Sequence, residues 1–500
     1  MPELPMEKSK KKKDERLKVL FVSPEVVPFA KTGGLADVSG SLPIALKKLE
    51  VDVRVVLPLY RMVQDREIEF HTLFQNLELP LGKDILKANI VETRIAGDIP
   101  VYMIDREDLY DRPNLYGNAN GDYYDNLERF AFFSHAALLL SEAISLSPDI
   151  VHCHDWQTGL VPALLKGPYS NYPMVSSAAT VFTVHNLGYQ GVFPAEKVPM
   201  TGLPSKEFFH MEGFEFWGKI SLLKAGIVYA DGVTTVSTTY ARQIQTPEYG
   251  MGMEGVLSSR RRVLHGILNG VDYDLWDPAK DTHIAMNYSP DDMAGKKKCK
   301  ARLVQEMALD SSLIKRPLGG IISRLDSQKG LDLVVKILDE MLDLDVGLVV
   351  LGSGDESIQA DIQDAARRRK GRIRLFSGFN DPLAHRIMAG ADMLLIPSRY
   401  EPCGLTQMYA LKYGNVPVVR ATGGLADTIK PFDIKTGKGN GFTFGPYEPK
   451  AFFKAVRKAV NTYDEKRVWD RIVANGMQED FSWQRSAKNY KKLYESFLKE

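Results

Sequence analysis

Cysteine is scarce in this chain: 500 residues hold three, Cys153, Cys299 and Cys403, an odd number set far apart. They offer no disulfide framework and no CxxC zinc ribbon, so a reducing cytoplasmic compartment is the expectation. Charge of one sign is missing as well. The 64 Lys and Arg against 63 Asp and Glu leave a net +1, and no field of one sign argues for nucleic acid or membrane as the main partner. No long apolar run is uninterrupted. The most apolar helical stretch, FAFFSHAALLLSEAISL at 130–146, carries Ser134, His135 and Glu142 and reads as a buried core helix, not a membrane span. The start, MPELPMEKSKKKKDER, lacks the apolar core of a signal peptide, and its Glu3, Glu7, Asp14 and Glu15 are too acidic for a transit peptide. Residues 1–16 are expected to be a disordered, solvated basic tail. No GxGxxG follows the first strand, which argues against a nicotinamide-linked oxidoreductase.

What is present is core material: 44% of residues are hydrophobic, and the length suggests more than one domain. Short β-branched runs alternate with helical patterns. LKVLFVSPE reads as a buried strand, DVSGSLPIALKKLE as a helix and VDVRVVLP as the next strand. DIVHCHDW and ATVFTVHN are further strands with polar tips. The alternation restarts with PLGGIISRL and the helix GLDLVVKILDEML, then DVGLVVLGSG, RIRLFSGF, DMLLIPS and NVPVVRA. Two α/β units with parallel sheets follow from this pattern. The turn-rich VLHGILNGVDYDLWDP at 263–278 marks the boundary. The expected division is a domain at 17–264, a second at 265–480, and a terminal helix at 481–500 that crosses back to the first.

One hexapeptide occurs twice. TGGLAD stands at 32–37 and at 422–427, 390 positions apart, and only the first copy is preceded by a lysine, Lys31. The first follows an early strand and the second a late one, so simple duplication of the motif does not explain them. Both read as Gly-rich turns at carboxyl ends of strands, where open α/β sheets bind ligands. Gly33 and Gly34 permit a tight turn and close approach. A lysine beside the positive end of a helix is unfavourable unless an anion joins it, which makes Lys31 a phosphate or carboxylate candidate. The bland alternative is a turn with a solvated lysine.

Other strand ends carry chemistry. In ISRLDSQKG, Arg324 and Lys329 flank one loop, with Asp326 or Ser327 as the expected N-cap; the two cations could clamp a diphosphate. In PSRYEPCGLTQMYALKYG, a helix begins near Cys403–Leu405, and Glu401 stands before it, suited to a sugar hydroxyl or a developing cation. VHCHDWQTG places His152, Cys153, His154 and Asp155 at a strand tip. These are metal-ligand types, but no second cluster supports a metal, and Asp155 facing a cleft is the better reading. His185 and Asn186 occupy the neighbouring tip. Phe379 could stack a base or be plain core.

Together, KTGGLADV, HDWQT, HNLGYQG, ILNGVD, SRLDSQKG and PSRYEPCGLTQMYALKYG resemble, in order and over nearly the whole chain from Leu17 onward, the bacterial glycogen synthase and plant starch synthase family. The resemblance implies a GT-B fold: two Rossmann-like α/β domains facing across a deep cleft, the first on the acceptor side and the second binding the nucleotide sugar. It implies a retaining transfer of glucose from ADP-glucose to the non-reducing end of an α-1,4-glucan, with no cofactor and no metal. By resemblance, Arg324 and Lys329 would hold the diphosphate, and Glu401 would stand beside the transferring glucose. His185 and Asn186 would contact that sugar, and Asp155 matches a catalytically important aspartate. Lys31, Gly33, Gly34 and Asp37 would approach from the first domain, while Cys403, Gly404, Leu405 and Thr406 would line the glucose and phosphate site. Phe379 falls where the family stacks an aromatic on adenine. The chain departs from the pattern in having phenylalanine instead of tyrosine there, and Glu50-Val51 where a Gly-His pair is usual. UDP-glucose as donor, a non-catalytic glucan-binding protein and a nucleotide-sugar epimerase remain the alternatives.

Overall fold

The computed structural model describes residues 16–81, 84–118 and 120–498. The expected basic tail, apart from Arg16, lies outside the described residues, as do the last two residues of the terminal stretch. The strand Lys18–Val22 forms where a continuous apolar run can be buried on both faces, with Val19 to Val22 inaccessible. It pairs in parallel with Asp52–Pro58 on one side and with Ile150–His154 on the other. Outward from Ile150–His154 follow Ala179–Val184, Gly232–Thr235 and Leu264–Gly266, all parallel. On the other flank Ile99–Asp105 is parallel, but the last two strands, Asp84–Ile95 and His71–Leu81, are antiparallel. Sequence reasoning did not anticipate this edge, where alternating polar residues break the βαβ rhythm.

The second sheet is wholly parallel, in the order Ile373–Ser377, Gly347–Gly352, Leu318–Ile322, Met393–Ile396, Val416–Arg420, Phe442–Phe444. Among its parallel strands, each sheet therefore reverses its order once. The crevice lies between Lys18–Val22 and Ile150–His154 in the first sheet, and between Leu318–Ile322 and Met393–Ile396 in the second. Ligands bind at such points because flanking loops diverge there and leave a gap.

The two sheets have separate apolar cores. The helix Trp483–Phe497 belongs to the first: Trp483, Ala487, Tyr490, Leu493 and Tyr494 are buried in it. The segment leading into it is tied to Val271, whose N–H donates to the Phe481 carbonyl at 2.8 Å. The apolar helix occupies Asn126–Ala143, with His135 buried and its ring bonded to the Tyr169 hydroxyl and the Thr201 carbonyl. Among the described residues, no helix is long and apolar enough to cross a membrane.

Candidate functional site

The loops leaving both reversal points line one cavity of about 550 Å³. From the first sheet come Glu25, the Thr32–Leu35 turn, Asp155 and the His185–Asn186 pair; from the second come Arg324, Lys329, Glu401 and the turn from Cys403 to Thr406. Of the residues singled out by sequence, the structure gathers Glu401, His185, Asp155, Arg324, Lys329, Gly33, Gly34, Asn186, Cys403, Gly404, Leu405 and Thr406 around that cavity.

Asp155 and His185 are coupled through the backbone. Asp155 has a left-handed conformation, φ 56°, uncommon for a side chain with a Cβ. Its carboxylate accepts the His185 N–H at 2.7 Å. Burial and the nearby Glu25 charge raise its carboxyl to about 7. The His185 ring is held neutral by burial, its pKa lowered to about 3. Its Nε2 meets Nδ1 of His154 at 3.0 Å. His154 is also neutral by burial, and its own Nε2 is buried without a partner. Were His185 the donor, His154 would bury an unpaired N–H on that atom. An unpaired lone pair is the less costly orphan. The pattern therefore assigns the proton to His154 Nδ1, and leaves His185 a proton on Nδ1 to offer a ligand. His152 turns away: it bonds the Thr183 hydroxyl at 2.7 Å and the Tyr494 hydroxyl at 2.8 Å, so HCHD does not converge as a ligand set.

On the opposite wall, Lys329 Nζ spans both oxygens of Glu401, at 2.9 and 2.7 Å. Ser398 donates its hydroxyl to the same carboxylate at 3.0 Å. Arg324 pairs with Asp326 at 3.0 Å and donates to the Gln328 side chain at 2.8 Å. The expected helix cap is corrected: Leu331–Leu342 starts after Gly330, at φ 77°, and Asp326 instead accepts the Lys329 N–H. Gly404 also needs its freedom, at φ 71° with the Gln407 side chain where a Cβ would go.

Three residues given a site role by resemblance are not among the cavity lining: Lys31, Asp37 and Phe379. Lys31 is taken up by Asp37 at 2.7 Å. The anion beside that lysine is thus a side chain of the same turn. Phe379 is 86% exposed, neither core nor stacked on the cavity wall. The helix begins within the first TGGLAD, at Gly34, earlier than the sequence suggested, and the turn leading into it is held by Glu25, which accepts from the N–H groups of Thr32 and Gly33 and from the Thr32 and Tyr116 hydroxyls.

The repeat resolves into two different uses. A Cβ at Gly33 or Gly34 would meet nothing within 4 Å. At Gly423 and Gly424 it would lie 1.9 Å from the Glu401 carbonyl oxygen and 2.0 Å from that of Cys403. Only the first copy opens onto the cavity; the second is structural, supporting the Glu401–Cys403 turn from behind, and its glycines let two backbones touch.

Sequence reasoning missed Glu25, Asn269, Gln157 and Gln407. Each lines the cavity, and the side-chain oxygens of the last three are buried with no partner. Gln407 does use its Nε2, donating to the carbonyls of Cys403 and Gly404 at 3.0 and 2.9 Å. Gln157, Asn269 and Gln407 stand within HDWQT, ILNGVD and PSRYEPCGLTQMYALKYG, whereas Glu25 belongs to none of these motifs. Unpaired acceptors in a cavity suit a ligand rich in hydroxyl donors.

Comparison with known proteins finds relatives along nearly the whole chain. Residues 18–259 match the family described as starch synthase catalytic domain, and residues 312–475 match glycosyl transferases group 1. A glycogen synthase of Desulforudis audaxviator is 46% identical, with 97% of this chain and 98% of that protein covered. One of Anaeromyxobacter dehalogenans is 45% identical, with 96% and 99% covered. Among solved structures, the catalytic domain of starch synthase IV from Arabidopsis thaliana, bound to ADP and acarbose, superposes with a TM-score of 0.89 at 34% identity, covering 97% of this chain and 100% of that one. Sucrose-phosphate synthase from Thermosynechococcus elongatus, at TM-score 0.59 and 16% identity over 97% of this chain and 99% of that one, shares the fold alone.

Proposed function

The chain belongs to the glycogen and starch synthase family of GT-B glycosyltransferases, and on that premise we propose that it transfers glucose from ADP-glucose to the non-reducing end of an α-1,4-glucan with retention of configuration. The observation that carries this reading is the direct pairing of Lys329 with Glu401 on one wall of a cavity that also presents Arg324 and unpaired amide oxygens.

In that reaction the bond from the anomeric carbon to the diphosphate oxygen breaks, one to an acceptor hydroxyl oxygen forms, and the hydroxyl's proton passes to the departing diphosphate. Positive charge develops on the sugar and negative charge on the departing diphosphate. Arg324 and Lys329 would meet the latter, the first as a fork and the second as a point charge. A diphosphate would then compete with Glu401 for Lys329, freeing carboxylate charge for the sugar. His185, neutral with its proton on Nδ1, would donate to a sugar hydroxyl, and Asn186 would stand beside it. Gln407, Asn269 and Gln157 would accept from sugar hydroxyls. Gly33 and Gly34, open towards the cavity, would let substrate approach the first-domain backbone. The turn from Cys403 to Thr406 would border glucose and phosphate. Lys31, Asp37 and Phe379 would have a substrate role only if a bound donor brought them to the cavity.

The test supplies glycogen with ADP-glucose or UDP-glucose and follows nucleotide release and glucan growth, with Glu401→Ala alongside. ADP-glucose consumption that depends on glucan, lost in the variant while its fold persists, supports the proposal. Preference for UDP-glucose keeps the chemistry and overturns the donor. No growth with either donor overturns the activity in favour of a glucan-binding protein, and donor turnover without glucan points to an epimerase.

A further inference from the structure

Two turns on the first domain pass through left-handed backbone and touch each other. The strands Glu215–Phe216 and Lys219–Ser221 form a hairpin closed by two residues, since Phe216 pairs with Lys219. Those residues, Trp217 and Gly218, have φ of 53° and 74°. Such a loop favours asparagine-glycine, because a bulky side chain at its first position crowds the backbone. Met251 and Gly252 repeat the pattern, at φ 50° and 84°. A Cβ on Gly252 would lie 3.1 Å from the Phe216 ring and 3.5 Å from the Trp217 indole nitrogen. Both turns thus carry a large apolar side chain where a small polar one is easier, and both side chains are exposed, Trp217 at 81%. Strain kept at an exposed aromatic points to use.

The hairpin is anchored. Lys224, buried in the helix Leu222–Tyr229, donates its ammonium to the carbonyls of Met211 and Glu215 at 2.5 and 2.6 Å. Gln190 donates to the Met251 carbonyl at 3.0 Å. A rigid exposed aromatic loses little entropy when a ligand covers it. The patch also continues into the site. Tyr189 lines the cavity and is half exposed, and a Cβ on its neighbour Gly188 would lie 3.7 Å from the Met251 sulfur. Tyr189, Met251 and Trp217 therefore run outward from the cavity rim.

We propose that this ridge is a distal subsite for the glucan acceptor, with the Trp217 indole stacked on a glucose ring some residues from the reacting end. A pyranose offers a face of C–H groups and a rim of hydroxyls, which suits an aromatic plane with a carboxylate beside it, that of Glu215, which accepts the Gly218 N–H. The subsite rests on the acceptor being a glucan, as proposed above. Continuity with the cavity favours a substrate chain over a second copy of this protein.

The test is Trp217→Asn, a change that suits the turn and so spares the fold. Affinity electrophoresis through gels with and without glycogen needs neither donor nor turnover. Retardation is expected to weaken about three- to tenfold, with a matching rise in KM for glycogen and unchanged kcat and KM for maltotriose. Equal changes for both acceptors, or none for either, overturn the proposal. So does loss of self-association in sedimentation with glycogen binding intact, which would assign the ridge to a second copy. Wild-type protein that transfers to maltotriose yet is not retarded by glycogen sinks the subsite alone. Retardation that depends on Trp217 without any transfer sinks the activity and leaves the subsite standing.

Discussion

His185 owes its tautomer to His154, a residue whose ring offers nothing to a ligand directly. Replacing His154 by alanine removes the donor to His185 Nε2 and leaves that lone pair buried. We expect kcat to fall about tenfold or more, as when a positioned donor is lost, with KM for the donor sugar less affected. His154→Asn, whose amide N–H can take the place of Nδ1–H, should recover most of the rate. Nitrogen-15 NMR of wild-type protein should show the His185 proton on Nδ1; a proton on Nε2 refutes the assignment. Proton linkage yields another expectation. Burial holds His152, His154 and His185 below their ordinary 6.5, His185 at about 3. The unfolded chain therefore takes up these protons first, and stability is lost as pH falls from 6.5 towards 3. Asp155 acts with the opposite sign. Raised from 3.8 to about 7, it contributes most at low pH and its contribution is lost as pH rises to 7. Three histidines outweigh one aspartate, so the urea midpoint should drop between neutral pH and about pH 5. Asp155→Asn should steepen the drop; a flat profile contradicts the buried, neutral imidazoles. At this scale the sequence exposed the residues that end strands, such as Asp155 and Glu401. It hid Glu25, because an acid after a strand gains meaning only from the N–H groups folded against it.

The two TGGLAD turns show how one local sequence serves two elements. Both begin helices, Gly34–Lys47 and Gly423–Thr428. Their surroundings differ: open space at Gly33, and the Cys403 carbonyl oxygen 2.0 Å from a Cβ at Gly424. Gly424→Ala should cost about 1–3 kcal/mol, because backbone must move to admit the methyl. Gly33→Ala, at an extended φ of −153°, should stay within about 0.5 kcal/mol of wild type. Paired urea titrations decide; equal costs would contradict the different packing. Strand positions were legible because buried parallel strands are continuous apolar runs. The antiparallel edge and the Trp217 hairpin were not, since short polar strands carry a weak period-two signal and depend on a partner.

Across the whole molecule, the second TGGLAD supplies a clasp between sheets. Asp427 accepts from the Ser237 hydroxyl at 2.7 Å and from the Thr239 N–H and hydroxyl at 3.1 and 2.6 Å, at the start of the helix Thr238–Gln243 in the first domain. Gln243 accepts in return from the Gly423 N–H at 2.9 Å. Asp427→Ala should therefore weaken a cap and an interdomain contact together, lowering stability by about 1 kcal/mol. It should also raise the radius of gyration in solution scattering; an unchanged radius and melting curve would show that the clasp holds nothing.

The sequence by itself determined the parallel strands of the two sheets, the order of the motifs along them and the family to which they belong. Those properties reside in local hydrophobic runs and in residue types at strand tips, and both are written along the chain. Tertiary structure alone decided which tips share a cavity, that Lys329 faces Glu401 and not solvent, that Lys31 is neutralised by Asp37, and that only one glycine turn is open. The physical reason is common to all four. A charge, a lone pair or a missing Cβ has consequences only through what stands within a few ångströms of it, and here those neighbours come from positions far away in the chain or from a turn whose shape the residues alone do not dictate.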